Sequence, residues 1–120
     1  MLEALDIAAS GMLAAQAVIN TAANNIANAN TPGYKAQRVN LFDIMTGGVA
    51  VDGISQSTAP PNSSGSNVDL AAEQAKLDKA AVLYNANAMV VKMTDQMYGR
   101  LLDIMDDPNR QPDNNADGGQ

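Results

Sequence analysis

Ala22-Ala23-Asn24-Asn25-Ile26-Ala27-Asn28-Ala29-Asn30-Thr31-Pro32-Gly33-Tyr34-Lys35 reads as a helix end studded with asparagine that runs straight into a Pro-Gly turn. Asparagine is a mediocre helix former because its amide competes for backbone hydrogen bonds. Five asparagines nonetheless fall between Asn20 and Asn30, in a segment otherwise built of small and apolar residues. Asn20, Asn24 and Asn28 stand four apart and so line one edge of the helix. Pro32 pushes Thr31 out of the helical region, and Pro-Gly suits the two central positions of a type II turn. The segment predicts a helix with a polar edge and a programmed exit, which points to a specific packing partner rather than a catalytic pocket.

Upstream, Leu5, Met12, Ile19 and Ile26 recur every seven residues, with Leu2, Ala9, Gln16, Ala23 and Asn30 between them. This is a heptad seam sustained for about four repeats, and it predicts an N-terminal helix over 1–30. Gly11 costs a helix interior roughly 1 kcal/mol relative to Ala, so either a neighbouring backbone comes close there or the first turns are flexible. Gln16 and Asn30 fall on the seam, where buried amides fix register and partner. The plainer alternative is that the asparagines face solvent.

A second helix is expected over 68–105, capped by Ser66 or Asn67, with Asp69 at the positive end of the dipole. Leu70, Leu77, Tyr84, Val91 and Tyr98 repeat every seven residues, with Ala81, Ala88 and Leu102 between; Leu83, Val90, Met97, Leu101 and Ile104 form a second stripe. Such an apolar face is wider than a two-stranded seam requires, so partners beyond the first helix are expected. Tyr84 and Tyr98 suit either an interface or ordinary core packing.

Residues 31–67 are expected to hold the turn, one or two short strands around Val39–Ile54 with Asp52-Gly53 as a turn signal, and a Ser/Pro/Gly linker over 57–66. Residues 106–120 carry no apolar anchor and read as a solvating, disordered tail. The expected fold is therefore mainly α: a long, coiled-coil-like antiparallel pair of helices with a short β-containing excursion between them.

Composition narrows the function. Of 120 residues 21 are Ala, against one Phe, three Tyr and no Trp, so a self-sufficient core is hard to build. Thirteen acidic against seven basic residues give a net charge of −6, which disfavours nucleic acid as a partner. Without cysteine there are neither disulfides nor thiolate metal sites, and without histidine the commonest general base is missing. Gly47-Gly48 has no following Lys-Ser/Thr, Ser10 and Ser57 have no base, and Asp103, Asp106 and Asp107 lack the pattern of a calcium loop. No enzyme activity, cofactor or metal is expected. No basic n-region precedes an apolar core at the start, and no apolar run is read as long enough to span a bilayer.

The run ANNIANANTPGYK resembles the signature of the flagellar basal-body rod proteins, the axial rod and hook family. The resemblance extends through Leu2–Leu5 and Ala8–Met12, and returns in Ser66–Glu73 and Tyr84–Ala88, so two matching ends, 1–45 and 66–105, flank a middle that matches poorly. It implies a structural subunit closest to the short proximal-rod type, with an abbreviated middle. Such a subunit packs its terminal helices with other rod subunits, and with copies of itself, into a torque-transmitting tube in the periplasm. Export through the flagellar type III apparatus without a cleaved signal would override the otherwise cytoplasmic reading. The residues carried over are Asn24, Asn25, Asn28, Thr31, Pro32, Gly33 and Tyr34, with Asp69, Tyr84 and Asn87 on the second helix. The alternative is an export-associated or regulatory protein that binds rod subunits without joining the rod.

Overall fold

A computed structural model describes residues 2–106 of the chain. In chain order these form α1 (Leu2–Ala27), β1 (Gln37–Asp43), β2 (Val49–Gln56) and α2 (Leu70–Asp106). The fold is mainly helical, with one small antiparallel sheet between the helices. Of the tail expected over 106–120, Asp106 is instead the last residue of α2 and the rest lies outside the described residues.

The helices run antiparallel. The end of α1 and the start of α2 are joined through Ala29 and Ser66, whereas Gly11 faces Asn87 far along α2. The face that α1 buries is a repeat of small residues. Ala8, Ala15, Ala22 and Ala29 are buried seven apart, and Gly11, Val18 and Asn25 fall between them. Leu5, Met12, Ile19 and Ile26 flank this face half-buried, while Gln16 and Asn30 are exposed. On α2 the deepest positions are Glu73, Ala80 and Thr94, with Asn87 half-buried in the same sevenfold phase. Leu77, Tyr84, Val91 and Tyr98 lie beside them half-buried, and Leu70 and Leu102 are exposed. Small side chains let the two backbones approach closely. A Cβ on Gly11 would stand 2.6 Å from the Asn87 amide nitrogen, which explains the glycine inside α1.

The consequence is an inverted distribution of apolar side chains. Seven of the eight buried hydrophobic residues are alanines, Val68 being the exception, while twenty large hydrophobics among the described residues are exposed. At about 25 cal/mol per Å², an alanine seam contributes far less than a leucine one of equal length.

The hairpin lies along α1. Its tip is tied there: the Val49 amide donates to Ser10 Oγ at 3.1 Å, and a Cβ on Gly47 or Gly48 would strike Ile7 or Ser10. Its base is tied to Asn25, fifteen residues along the helix. The seven residues of β1 cover roughly 23 Å at 3.3 Å each, matching the roughly 22 Å from Ser10 to Asn25 at 1.5 Å per helical residue. The chain reverses at Ile44–Gly48, where the Gly47 amide donates to the Ile44 carbonyl at 2.8 Å. Asp52-Gly53, read as a turn from sequence, sits inside β2: the register passes from Asn40↔Gly53 to Leu41↔Val51, so Asp52 is the extra residue of a β-bulge. Gly53 serves that bulge with φ 152°.

Two further expectations are corrected. Asp69, rather than Ser66 or Asn67, caps α2: its Oδ1 accepts the Ala72 amide at 3.3 Å and its carbonyl the Glu73 amide at 2.9 Å. Ser66 and Asn67 are engaged elsewhere. As a helix, Leu2–Ala27 is also long and apolar enough to cross a membrane by length and composition, contrary to the sequence reading. Interspersed alanines keep the segment apolar on average although no run is.

Candidate functional site

The asparagine-rich end of α1 builds a knot that joins both chain ends to the base of the hairpin. Past Ala27 the helical ladder gives way to tighter turns: the Asn28 amide side chain joins its backbone amide on the Asn24 carbonyl at 2.9 Å, and the Thr31 amide donates three residues back to the Asn28 carbonyl at 3.0 Å. The turn follows at once. The Tyr34 amide donates to the Thr31 carbonyl at 3.1 Å, and Gly33 takes φ 82°, the conformation required at the third position of a type II turn.

Tyr34 then folds back onto the helix. Its hydroxyl donates to Asn25 Oδ1 at 2.8 Å and accepts from Asn24 Nδ2 at 3.1 Å. Asn25 is fully buried and pairs with the backbone of Gln37 on both sides: its Nδ2 donates to the Gln37 carbonyl at 2.8 Å, and its Oδ1 accepts the Gln37 amide at 2.9 Å. A single side chain thus imitates a strand neighbour and starts the sheet. Burial lifts the Tyr34 hydroxyl pKa above its usual value, and the nearby Glu73 carboxylate pushes in the same direction. Glu73, nearly buried itself, pairs with Lys76 at 3.3 Å.

The second half of the knot comes from the segment before α2. Buried Ser66 donates its hydroxyl to the Ala29 carbonyl. Asn67 Oδ1 accepts the Ala36 amide at 2.6 Å, and its Nδ2 donates to the carbonyls of Ser57 and Ala59 at 3.1 and 3.0 Å. The Gly33 amide donates to the Gly65 carbonyl at 2.9 Å, and a Cβ on Gly65 would come within 3.1 Å of the Pro32 Cα. Around these bonds Ala29, Ala36 and Val68 form a small apolar cluster with Tyr34 packed against it. Among the described residues every buried side-chain polar atom has a partner.

Hydrogen bonds link Asn24, Asn25, Asn28, Thr31 and Tyr34, and backbone contacts add Pro32 and Gly33. Asp69 stands nearby as the α2 cap. Tyr84 and Asn87 lie remote from the knot; Asn87 packs over Gly11 and donates to the Leu83 carbonyl at 2.9 Å. Sequence reasoning did not single out the Gln37 backbone or the clamping role of Ser66 and Asn67. The only signal for the latter is a pair of polar residues held between two predicted elements, which a capping role explains equally well.

A second feature is a groove of about 580 Å³. Its floor is the small-residue face of α1, at Ala14, Ala15 and Val18. The hairpin forms one wall and α2 the other. Arg38, Lys76 and Lys79 also line it, together with Glu73, which pairs with Lys76, so an overall acidic chain presents a net basic edge here.

Neither feature places a nucleophile beside a base, and the described residues hold no group of three metal-ligating acidic side chains. Both are devices for fixing one backbone against another. No curated protein matches the chain. The family model described as flagella basal body rod protein matches residues 5–35, from the second turn of α1 to just past Tyr34, and leaves 66–73 and 84–88 outside. Residues 5–35, the helix and turn that tie the two chain ends together, are therefore similar to the flagella basal body rod protein family.

Proposed function

We propose that the chain is a structural subunit of the flagellar basal-body rod, assembling with other rod subunits at the basal body. The observation that carries this reading is the inverted distribution of apolar side chains. The alanine face of α1 is buried while leucine, methionine and valine line the outer faces of α2. Isolated soluble chains seldom expose contiguous apolar surface on this scale, whereas subunits that saturate such faces against neighbours require it. The family match agrees, since rod proteins are structural and form no enzyme family.

The finer reading follows from the same features. The stiff antiparallel pair is the tube-forming element, the knot keeps the hairpin at a fixed angle to it, and torque passes along the packed helices. The carried-over residues act first within the chain, so the assembly surface they serve is the one they hold in shape. Location in the periplasm, export by the flagellar type III apparatus and the proximal position belong to this proposal. The test is quantitative mass spectrometry of purified hook–basal bodies. Several copies per particle are expected; absence of the chain while other rod proteins are present overturns the reading.

A further inference from the structure

The groove and the far end of α2 are complementary in shape, polarity and charge. Gly11 faces Asn87 and the helices are antiparallel, so the nine residues from Gly11 back to Leu2 bring the start of α1 level with Gln96. Beyond that point α2 continues to Asp106 with no helix alongside among the described residues, a projection of roughly 15 Å at 1.5 Å per residue. Within it only Tyr98 keeps partial cover. Met97, Leu101 and Ile104 stand at i, i+4 and i+7, exposed by 52, 43 and 66%. This is the pattern of a helix that lays one face into an apolar groove.

Charge points to the same pairing. The last turn of α2 carries no basic residue and ends in Asp103 and Asp106, at the end of a helix whose dipole is already negative. That arrangement is unfavourable in isolation and is relieved by cations from outside. Glu73 also lines the groove and already pairs with Lys76, so Arg38 and Lys79 are the groove cations left without an ion pair among the described residues. The projection cannot reach the groove of its own molecule. Leu101 lies eighteen residues beyond Leu83 of the groove wall, roughly 27 Å along one rigid helix.

We infer that the projecting end of α2 docks in the groove of a second copy, with Met97, Leu101 and Ile104 on the alanine floor and Asp103 and Asp106 against the basic edge. Each copy offers one end and one groove, so the contact is head-to-tail and propagates as an open strand rather than closing as a dimer. This contact rests on the rod-subunit reading and names one neighbour within it.

The chain has no cysteine, which makes site-directed crosslinking clean. Leu41→Cys in the groove and Leu101→Cys in the projection are placed in one full-length chain expressed in flagellated cells, and basal bodies are purified and oxidised. A ladder of 41–101 crosslinked multimers is expected, with an Ile54→Cys/Leu101→Cys control giving none. Arg38→Glu with Lys79→Glu lowers the yield roughly tenfold, as two weak exposed pairs would, and Asp103→Lys with Asp106→Lys restores it. Chain present in basal bodies but uncrosslinked, linked 101 to 101, or joined through residue 41 to a different protein overturns the docking while leaving the rod reading intact. Chain absent from basal bodies overturns the rod reading itself.

Discussion

Asn25→Ala tests whether the knot, rather than the helix seam, holds the fold together. The substitution removes the Oδ1 that accepts from the Gln37 amide and the Tyr34 hydroxyl at 2.9 and 2.8 Å, and the Nδ2 that donates to the Gln37 carbonyl at 2.8 Å. It leaves two backbone groups unpaired where Asn25 was wholly buried. Each buried orphan costs about 1–3 kcal/mol; because Gln37 is half-buried and water reaches part of it, a total near the lower half of the range, about 3 kcal/mol, is expected. For a domain with about 5–15 kcal/mol of total stability this is a large fraction. Asn24→Ala is the internal comparison. Its side chain is exposed and gives up a 3.1 Å bond to Tyr34 and a 3.3 Å bond accepted from Asn28 Nδ2, together worth about 1 kcal/mol at an exposed site. Urea and thermal unfolding of the purified chain, followed by far-ultraviolet circular dichroism, measure both. At about 4–8 °C per kcal/mol, the Asn25 variant melts roughly 12–24 °C lower and the Asn24 variant only a few degrees lower. Equal midpoints for the two variants would refute the knot as the organising element.

Gly33→Ala destabilises by about 1–2 kcal/mol from backbone strain alone, because Gly33 holds φ 82° with nothing within 4 Å of a new Cβ. The same change at Gly99, in open space within α2, stabilises by up to about 1 kcal/mol, and paired urea titrations read the opposite signs. The raised Tyr34 pKa means that the folded chain keeps a proton the unfolded chain releases. Its contribution to stability is therefore complete below pH 10.0, the ordinary tyrosine value, and declines as pH rises above it. Urea midpoints taken at increasing alkalinity fall less steeply in Tyr34→Phe than in the parent; identical slopes would contradict the shift.

The two helices, the short sheet between them and the turn at Thr31–Tyr34 were legible because each rests on local chemistry: heptad spacing, extended apolar alternation and Pro-Gly. The phase of the seam was not. Leu5, Met12, Ile19 and Ile26 repeat every seven residues, but so do Ala8, Ala15, Ala22 and Ala29, and hydrophobic weight favours the first set. Which set faces α2 depends on the distance between backbones, which only the pairing of Gly11 with Asn87 reveals. Asn25 illustrates a second limit. Its spacing sets it off the edge formed by Asn20, Asn24 and Asn28, yet it alone of these meets Gln37, because the strand that begins there arrives by way of a turn. Asp52-Gly53 has turn chemistry that a bulge also needs, and composition does not separate the two.

The excursion between the helices has a closed neck. The Ser57 amide donates to the Ala36 carbonyl at 2.7 Å, and Asn67 grips both edges of that opening from outside. Everything from Gln37 to Gln56 hangs from this ring, whose closure does not depend on what the loop contains. Loop-closure entropy grows only logarithmically with length, so additional residues inserted at Ile44–Gly48 would cost little at the ring. Those residues would sacrifice the local tether to Ser10 and leave the paired helices in register. The chain is thereby organised as a socket with an exchangeable fitting, in which length and surface at the tip can change by simple insertion while the stem stays compatible with its neighbours.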